Sequence, residues 1–132
     1  MDDEVEQIVE ELHDFYKQYA RELKDIQERY EGNDYIETAR VEILGRTEIL
    51  EELMEILNEI DDVNILMDWL QSKWREVMVK RRTIHETLFM YGDTDKQTLQ
   101  REYIKLRGKM KMIEELKETL PERMLKEMLK AR

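Results

Sequence analysis

Glu10 and His13 stand three residues apart, a spacing that puts two side chains on one face of a helix where both can reach a single ion. Glu52-x-x-Glu55 and Glu59-x-x-Asp62 repeat the spacing with carboxylates alone. Such pairs hold a hard divalent cation through oxygen, and substrate phosphates complete its shell. Arg46 and Arg81 each interrupt an apolar helical stripe and carry the planar fork that recognises oxyanions. Nucleophilic catalysis lacks its parts. The chain has no Cys, Ser72 is its only Ser, and its four Gly are isolated, so there is neither a triad nor a phosphate-cradling loop. Without Cys there is also no disulfide framework and no thiolate zinc site.

The Glu10-x-x-His13 spacing resembles that of di-iron carboxylate bundles, which combine two such pairs with two further inward Glu. Here the only other His is His85, Arg82 stands where its Glu should be, and neither Glu10 nor His13 lies on the apolar seam. The expectation is a solvated pair. Glu52/Glu55 and Glu59/Asp62 resemble the Mg-binding carboxylate pairs of all-α nucleotide pyrophosphohydrolases, and the resemblance implies Mg-dependent hydrolysis of a nucleotide phosphate. In that family the pairs lie on two helices. In this chain they fall seven residues apart on one helix, a line rather than a cage. No catalytic, cofactor-binding or metal residue is therefore assigned, no cofactor is expected, and the phosphohydrolase stands as a second alternative.

Of the 132 residues 41 % are apolar and 41 % charged, with one Pro. That charge content with so little Pro and Gly points to long solvent-faced helices and away from a sandwich or barrel. Val5, Val9, Leu12, Tyr16, Tyr19, Leu23, Ile26 and Tyr30 form an unbroken heptad seam, and Ile8 and Phe15 widen it toward a bundle. Periodicity and capping signals predict helices over about 2–31, 34–61, 63–91 and 94–120. Gly32, Asn33 and Asp34 mark the first turn; Asp61 or Asp62 caps the third helix; Gly92 and a Thr94/Gln97 capping box set the last junction. Pro121 suits the first turn of a short closing helix, 121–131. The expected fold is a single all-α domain, an antiparallel four-helix bundle with coiled-coil-like packing, made of an acidic hairpin 1–62 and a basic hairpin 63–132. No apolar run reaches the length of a membrane span and the acidic start is unlike a signal peptide, so a soluble cytoplasmic protein is expected.

The net charge of −10 is polarised. Residues 1–62 carry 21 acids against 6 bases, and residues 63–132 carry 11 against 16. Two such halves neutralise each other within one chain or between two copies. Counting residues along antiparallel rods puts Arg46, Arg81, Gly45, Gly108 and Tyr19 at one height, either a register-fixing polar layer or an anion notch. The regular seam favours a homodimer, and the leading expectation is a non-enzymatic interaction, assembly or regulatory factor. Its contacts would lie at Trp69 and on the closing segment with Met124, Leu125, Met128 and Leu129. The first alternative is an acidic nucleic-acid mimic presenting Glu48, Glu51, Glu55 and Glu59. Direct nucleic-acid binding is not expected, because the basic stripe of the second half lies in a chain of pI about 4.8.

Overall fold

The computed structural model describes residues 3–30, 34–90 and 96–130. The turn and capping signals at Gly32, Asn33, Gly92 and Thr94 lie outside the described residues, as does the side chain of Met128. Four helices pack on one another: α1 (Asp3–Arg29), α2 (Asp34–Ile56), α3 (Val63–Met90) and α4 (Lys96–Lys130). A 3-10 turn, Leu57–Glu59, follows α2. There is no strand among the described residues, and no described helix is long and apolar enough to cross a membrane.

Two expected boundaries are corrected. The second helix stops at Ile56 rather than continuing to Asp61, because the chain tightens into the 3-10 turn. Ile60 then takes an extended conformation, closed by its N–H bond to the Leu57 carbonyl at 3.2 Å. That tightening buries both Leu57 and Ile60. Of the two expected caps, Asp61 and Asp62, it is Asp62 that caps α3, accepting the Asn64 N–H on Oδ1 at 2.7 Å.

There is also no separate closing helix. Pro121 sits inside α4, which runs about 52 Å without interruption. A proline there removes one backbone hydrogen bond and crowds the preceding turn. Continuity is held by the stripe that crosses it, Leu116, Leu120 and Met124, all buried at successive turns. The ion pair of Arg123 with Glu4 adds a second tie to α1.

Sequential helices run antiparallel, but the packing is not that of a square bundle. α2 and α4 run parallel and make the most intimate contact, with α1 on the outer side of α2 and α3 on the outer side of α4. Two glycines explain this. A Cβ on Gly45 would stand 2.0 Å from the Lys105 carbonyl oxygen, and one on Gly108 would stand 1.9 Å from that of Glu42. Both helices present bare backbone at the same crossing, so their axes approach more closely than side chains would permit.

The core collects below this crossing, where Val5 and Val9 of α1 meet Ile49, Leu50 and Leu53 of α2, Leu66 and Leu70 of α3, and Ile113, Leu116 and Leu120 of α4. Above it Tyr19, Ile26 and Tyr30 of α1 are exposed, while Ala20 stays buried. α2 lies between its two neighbours, so almost every residue from Ile36 to Leu50 is at least half covered.

Candidate functional site

The acidic α2 lies against the basic first half of α4, and three of its carboxylates are paired there. Glu37 pairs with Arg101, Glu42 with Arg107 at 2.9 Å and Lys111 at 2.6 Å, and Glu48 with Lys105 and with Lys109 at 3.2 Å. Burial pushes the Glu42 carboxyl up, but hydrogen bonds and charge from Lys111 and Arg107 outweigh it and hold the group below its ordinary value. Glu37 is likewise held low against its burial, by hydrogen bonds from Gln27, Arg40 and Arg101. The Glu42 and Glu48 pairs flank the crossing of Gly45 and Gly108 and tie the two parallel helices together there.

Arg46 and Arg81 do not share a site. Arg46 Nη1 bonds Glu115 Oε1 at 2.8 Å and the Tyr16 hydroxyl at 3.2 Å, and its guanidinium lies 5.2 Å from the Tyr16 ring centroid. It fills the groove where α1, α2 and α4 meet. Arg81 stands in the groove between α3 and α4, with Nη2 donating to the Tyr103 hydroxyl at 3.2 Å and Nη1 at 2.8 Å from Met110 Sδ. Arg46 also reaches Met112 Sδ at 3.9 Å. Met110 and Met112 are two residues apart, so they leave α4 in directions about 200° apart, and the two arginines address opposite sides of that helix. The single notch expected from residue counting is therefore two separate sites. The tyrosine beside Arg46 is Tyr16 rather than Tyr19, whose ring stacks on Phe15 in solvent. Gly45 and Gly108 do meet, as the backbone crossing.

The expected acidic row is divided in the same way. Glu48 is occupied by two lysines of α4, and Glu51 accepts from or pairs with His13 Nε2 at 3.0 Å. Glu55 is exposed on α2, whereas exposed Glu59 belongs to the 3-10 turn, so the helical line breaks before it. Glu52 pairs with Lys73 of α3 at 3.4 Å. His13 faces Glu51 and Asp14, not Glu10. Among the described residues no three His, Asp or Glu side chains gather into a metal-binding group.

The closing segment and the tryptophan edge are corrected in part. Met124 is 3 % exposed and belongs to the core, while Leu125 and Leu129 on the same helix face solvent. Trp69 is half-buried against the core with Lys73 Nζ 5.7 Å from its ring centroid, so it offers only a partial edge. The larger apolar surface lies on α1. Phe15 is 61 % exposed, Tyr19 42 %, Ile26 40 % and Tyr30 65 %. Phe15, expected to widen the stripe into the bundle, instead turns away from it.

These four residues form one narrow stripe, within about 60° on the helix surface. At its lower end the same side of α1 is occupied: Ile8 and Leu12 pack on the core, beside the Arg123–Glu4 pair with α4. From Phe15 to Tyr30 the four side chains of the stripe are exposed, and nothing described in the chain covers them.

Comparison with protein-family models, with curated proteins and with solved structures finds no match. The geometry therefore carries the functional reading alone. The residues missed from sequence are Tyr16, Glu115 and Tyr103, which complete the two arginine sites. Their signal was the side of α4 that each arginine faces, which residue counting does not give.

Proposed function

We propose that the protein is a non-enzymatic interaction protein that assembles through the uncovered stripe of α1, with a second copy of the chain as its first partner. The observation that carries this reading is the exposure of Phe15, Tyr19, Ile26 and Tyr30 along one line of a regular helix. Large aromatic and aliphatic groups in a contiguous line are what helix–helix interfaces bury.

The sequence of the stripe favours a second copy over an unrelated partner. Its spacing of four, seven and four residues reads the same in both directions. An antiparallel pairing about a two-fold axis between Glu22 and Leu23 thus sets Phe15 against Tyr30 and Tyr19 against Ile26, as a self-complementary interface requires. The charges agree. Residues 14–30 carry four acids (Asp14, Glu22, Asp25, Glu28) and four bases (Lys17, Arg21, Lys24, Arg29), so two copies meet without the net repulsion that the rest of this acidic chain would impose.

Sedimentation equilibrium across a concentration series tests this. The wild-type chain is expected to show a reversible shift toward twice 16.2 kDa. Tyr19→Glu and Ile26→Glu, both at exposed positions, are expected to stay monomeric with unchanged helicity. A wild-type chain that remains monomeric throughout removes the second copy as partner, and an Ile26→Glu variant that still dimerises removes this face. Neither alternative draws comparable support: Glu48, central to a mimic face, is already paired, and the carboxylates of the phosphohydrolase reading diverge.

A further inference from the structure

Arg81 is the exception among the half-buried arginines. Arg40 pairs with Glu37, Arg46 with Glu115 and Arg107 with Glu42. Among the described residues Arg81 has no carboxylate within ion-pair distance, and its Nε–H is buried with no hydrogen-bond partner. A guanidinium in that position has lost part of its hydration without gaining a counter-charge, which costs free energy that an anion would recover.

The surroundings are all suited to such an anion. Arg81, Arg82, His85 and Tyr103 line, with Met78, a cleft of about 220 Å³ between α3 and α4. The lining holds two guanidiniums, an imidazole and a phenol, and no carboxylate, in a chain whose acids outnumber its bases by ten. The His85 and Tyr103 rings stand 6.2 Å apart, and the Arg81 guanidinium lies 4.7 Å from the Tyr103 ring centroid. The phenol is thus the hinge of the cluster, accepting from Arg81 while its own O–H remains able to donate.

We infer that this cleft is a binding site for a compact oxyanion of the phosphate type, held by Arg81, Arg82 and the Tyr103 hydroxyl. When the Arg81 guanidinium turns outward on its flexible stem, Nη2 leaves the Tyr103 hydroxyl and the Nε–Nη2 edge becomes the bidentate fork, with the freed phenol donating to the same anion. Arg82, exposed at the cleft mouth, supplies the second charge. The site lies on α3 and α4 and does not depend on association through α1.

Titration with inorganic phosphate, followed through the Arg Nε–Hε signals by nitrogen-edited NMR and matched in ionic strength with chloride, tests the assignment. A saturable shift of the Arg81 signal with phosphate and none with chloride is expected. Arg82→Gln should weaken the affinity about tenfold, the scale of one charge-assisted hydrogen bond. Arg81→Met should abolish saturation, with circular dichroism reporting an intact helix content. Arg75→Gln, an exposed position on the same helix, should bind as wild type. A second titration with methyl phosphate separates a site for a terminal phosphate group, which binds both ligands equally, from one that takes only the free ion; either result is an oxyanion site. A linear drift shared by the Arg75 signal, an equal response to chloride, or unchanged affinity in Arg82→Gln overturns the proposal.

Discussion

Adding one methyl group at the α2–α4 crossing should be among the most damaging small changes in this chain. On an ordinary helix Gly→Ala stabilises by about 1 kcal/mol, because Ala loses less backbone entropy on folding. At Gly108 the new Cβ would stand 1.9 Å from the Glu42 carbonyl oxygen, more than an ångström inside ordinary contact distance. The obstructing atom belongs to helix backbone, so no rotamer change relieves it and the two axes must separate. Overpacking of this kind costs about 1–3 kcal/mol, and here the rigid neighbour puts it at the upper end. Subtracting the propensity gain leaves a net loss of about 2 kcal/mol. For a chain of this size that lowers Tm by roughly 6–10 °C. The loosened contact also weakens the Glu42 and Glu48 pairs that depend on it. Urea and thermal denaturation of Gly108→Ala, Gly45→Ala and the double variant measure the effect. Because either methyl already separates the helices, the double variant should lose less than the sum of the single ones. Additive losses would mean that the glycines act separately. A rise in Tm for Gly108→Ala would refute the close crossing itself.

Three further outcomes follow from the packing. Glu42 and Glu37 have carboxyls held below the ordinary value of 4.5, so their contribution is complete above that value and is lost as pH falls through the lowered folded-state value. Glu42→Gln should therefore destabilise the chain at neutral pH and flatten the acid limb of a stability–pH curve, which denaturation at stepped pH would show. Met124→Ala should cost about 2–5 kcal/mol by opening a core cavity, whereas Leu125→Ala should be nearly neutral, and a chemical denaturation series compares the two. Pro121→Ala should raise Tm by several degrees by restoring the hydrogen bond that α4 lacks at that turn, and an unchanged or lowered Tm would show that the proline shape is required.

The helices were legible because apolar spacing is dictated by helix geometry: Val5, Val9 and Leu12 in α1 and Leu70 and Val77 in α3 face inward where the period places them. The Asp62 cap was legible because its side chain bonds two residues onward, a purely local event. Gly45 and Gly108 were legible as a pair at one height, and the close approach of two backbones is the reason for them. What counting could not supply was direction around each helix. Arg46 and Arg81 meet neighbouring methionines of α4 yet lie on opposite sides of it, a difference of azimuth that residue numbers along antiparallel rods do not encode. Pro121 differs from its expectation for a related reason. Its local preference is for a first turn, but the buried stripe Leu116, Leu120, Met124 carries α4 across it. The uncovered stripe of α1 depends on where α4 goes, which the crossing glycines decide from another part of the chain.

The proposed antiparallel pairing of two α1 helices about an axis near Glu22 can be tested cleanly because the chain has no Cys. A single Glu22→Cys substitution treated with a short bis-maleimide should give a covalent dimer in high yield at concentrations where Glu59→Cys, exposed near the opposite end, gives none. Equal yields from the two positions, or no dimer from Glu22→Cys while the chain sediments as a dimer, would rule out this pairing.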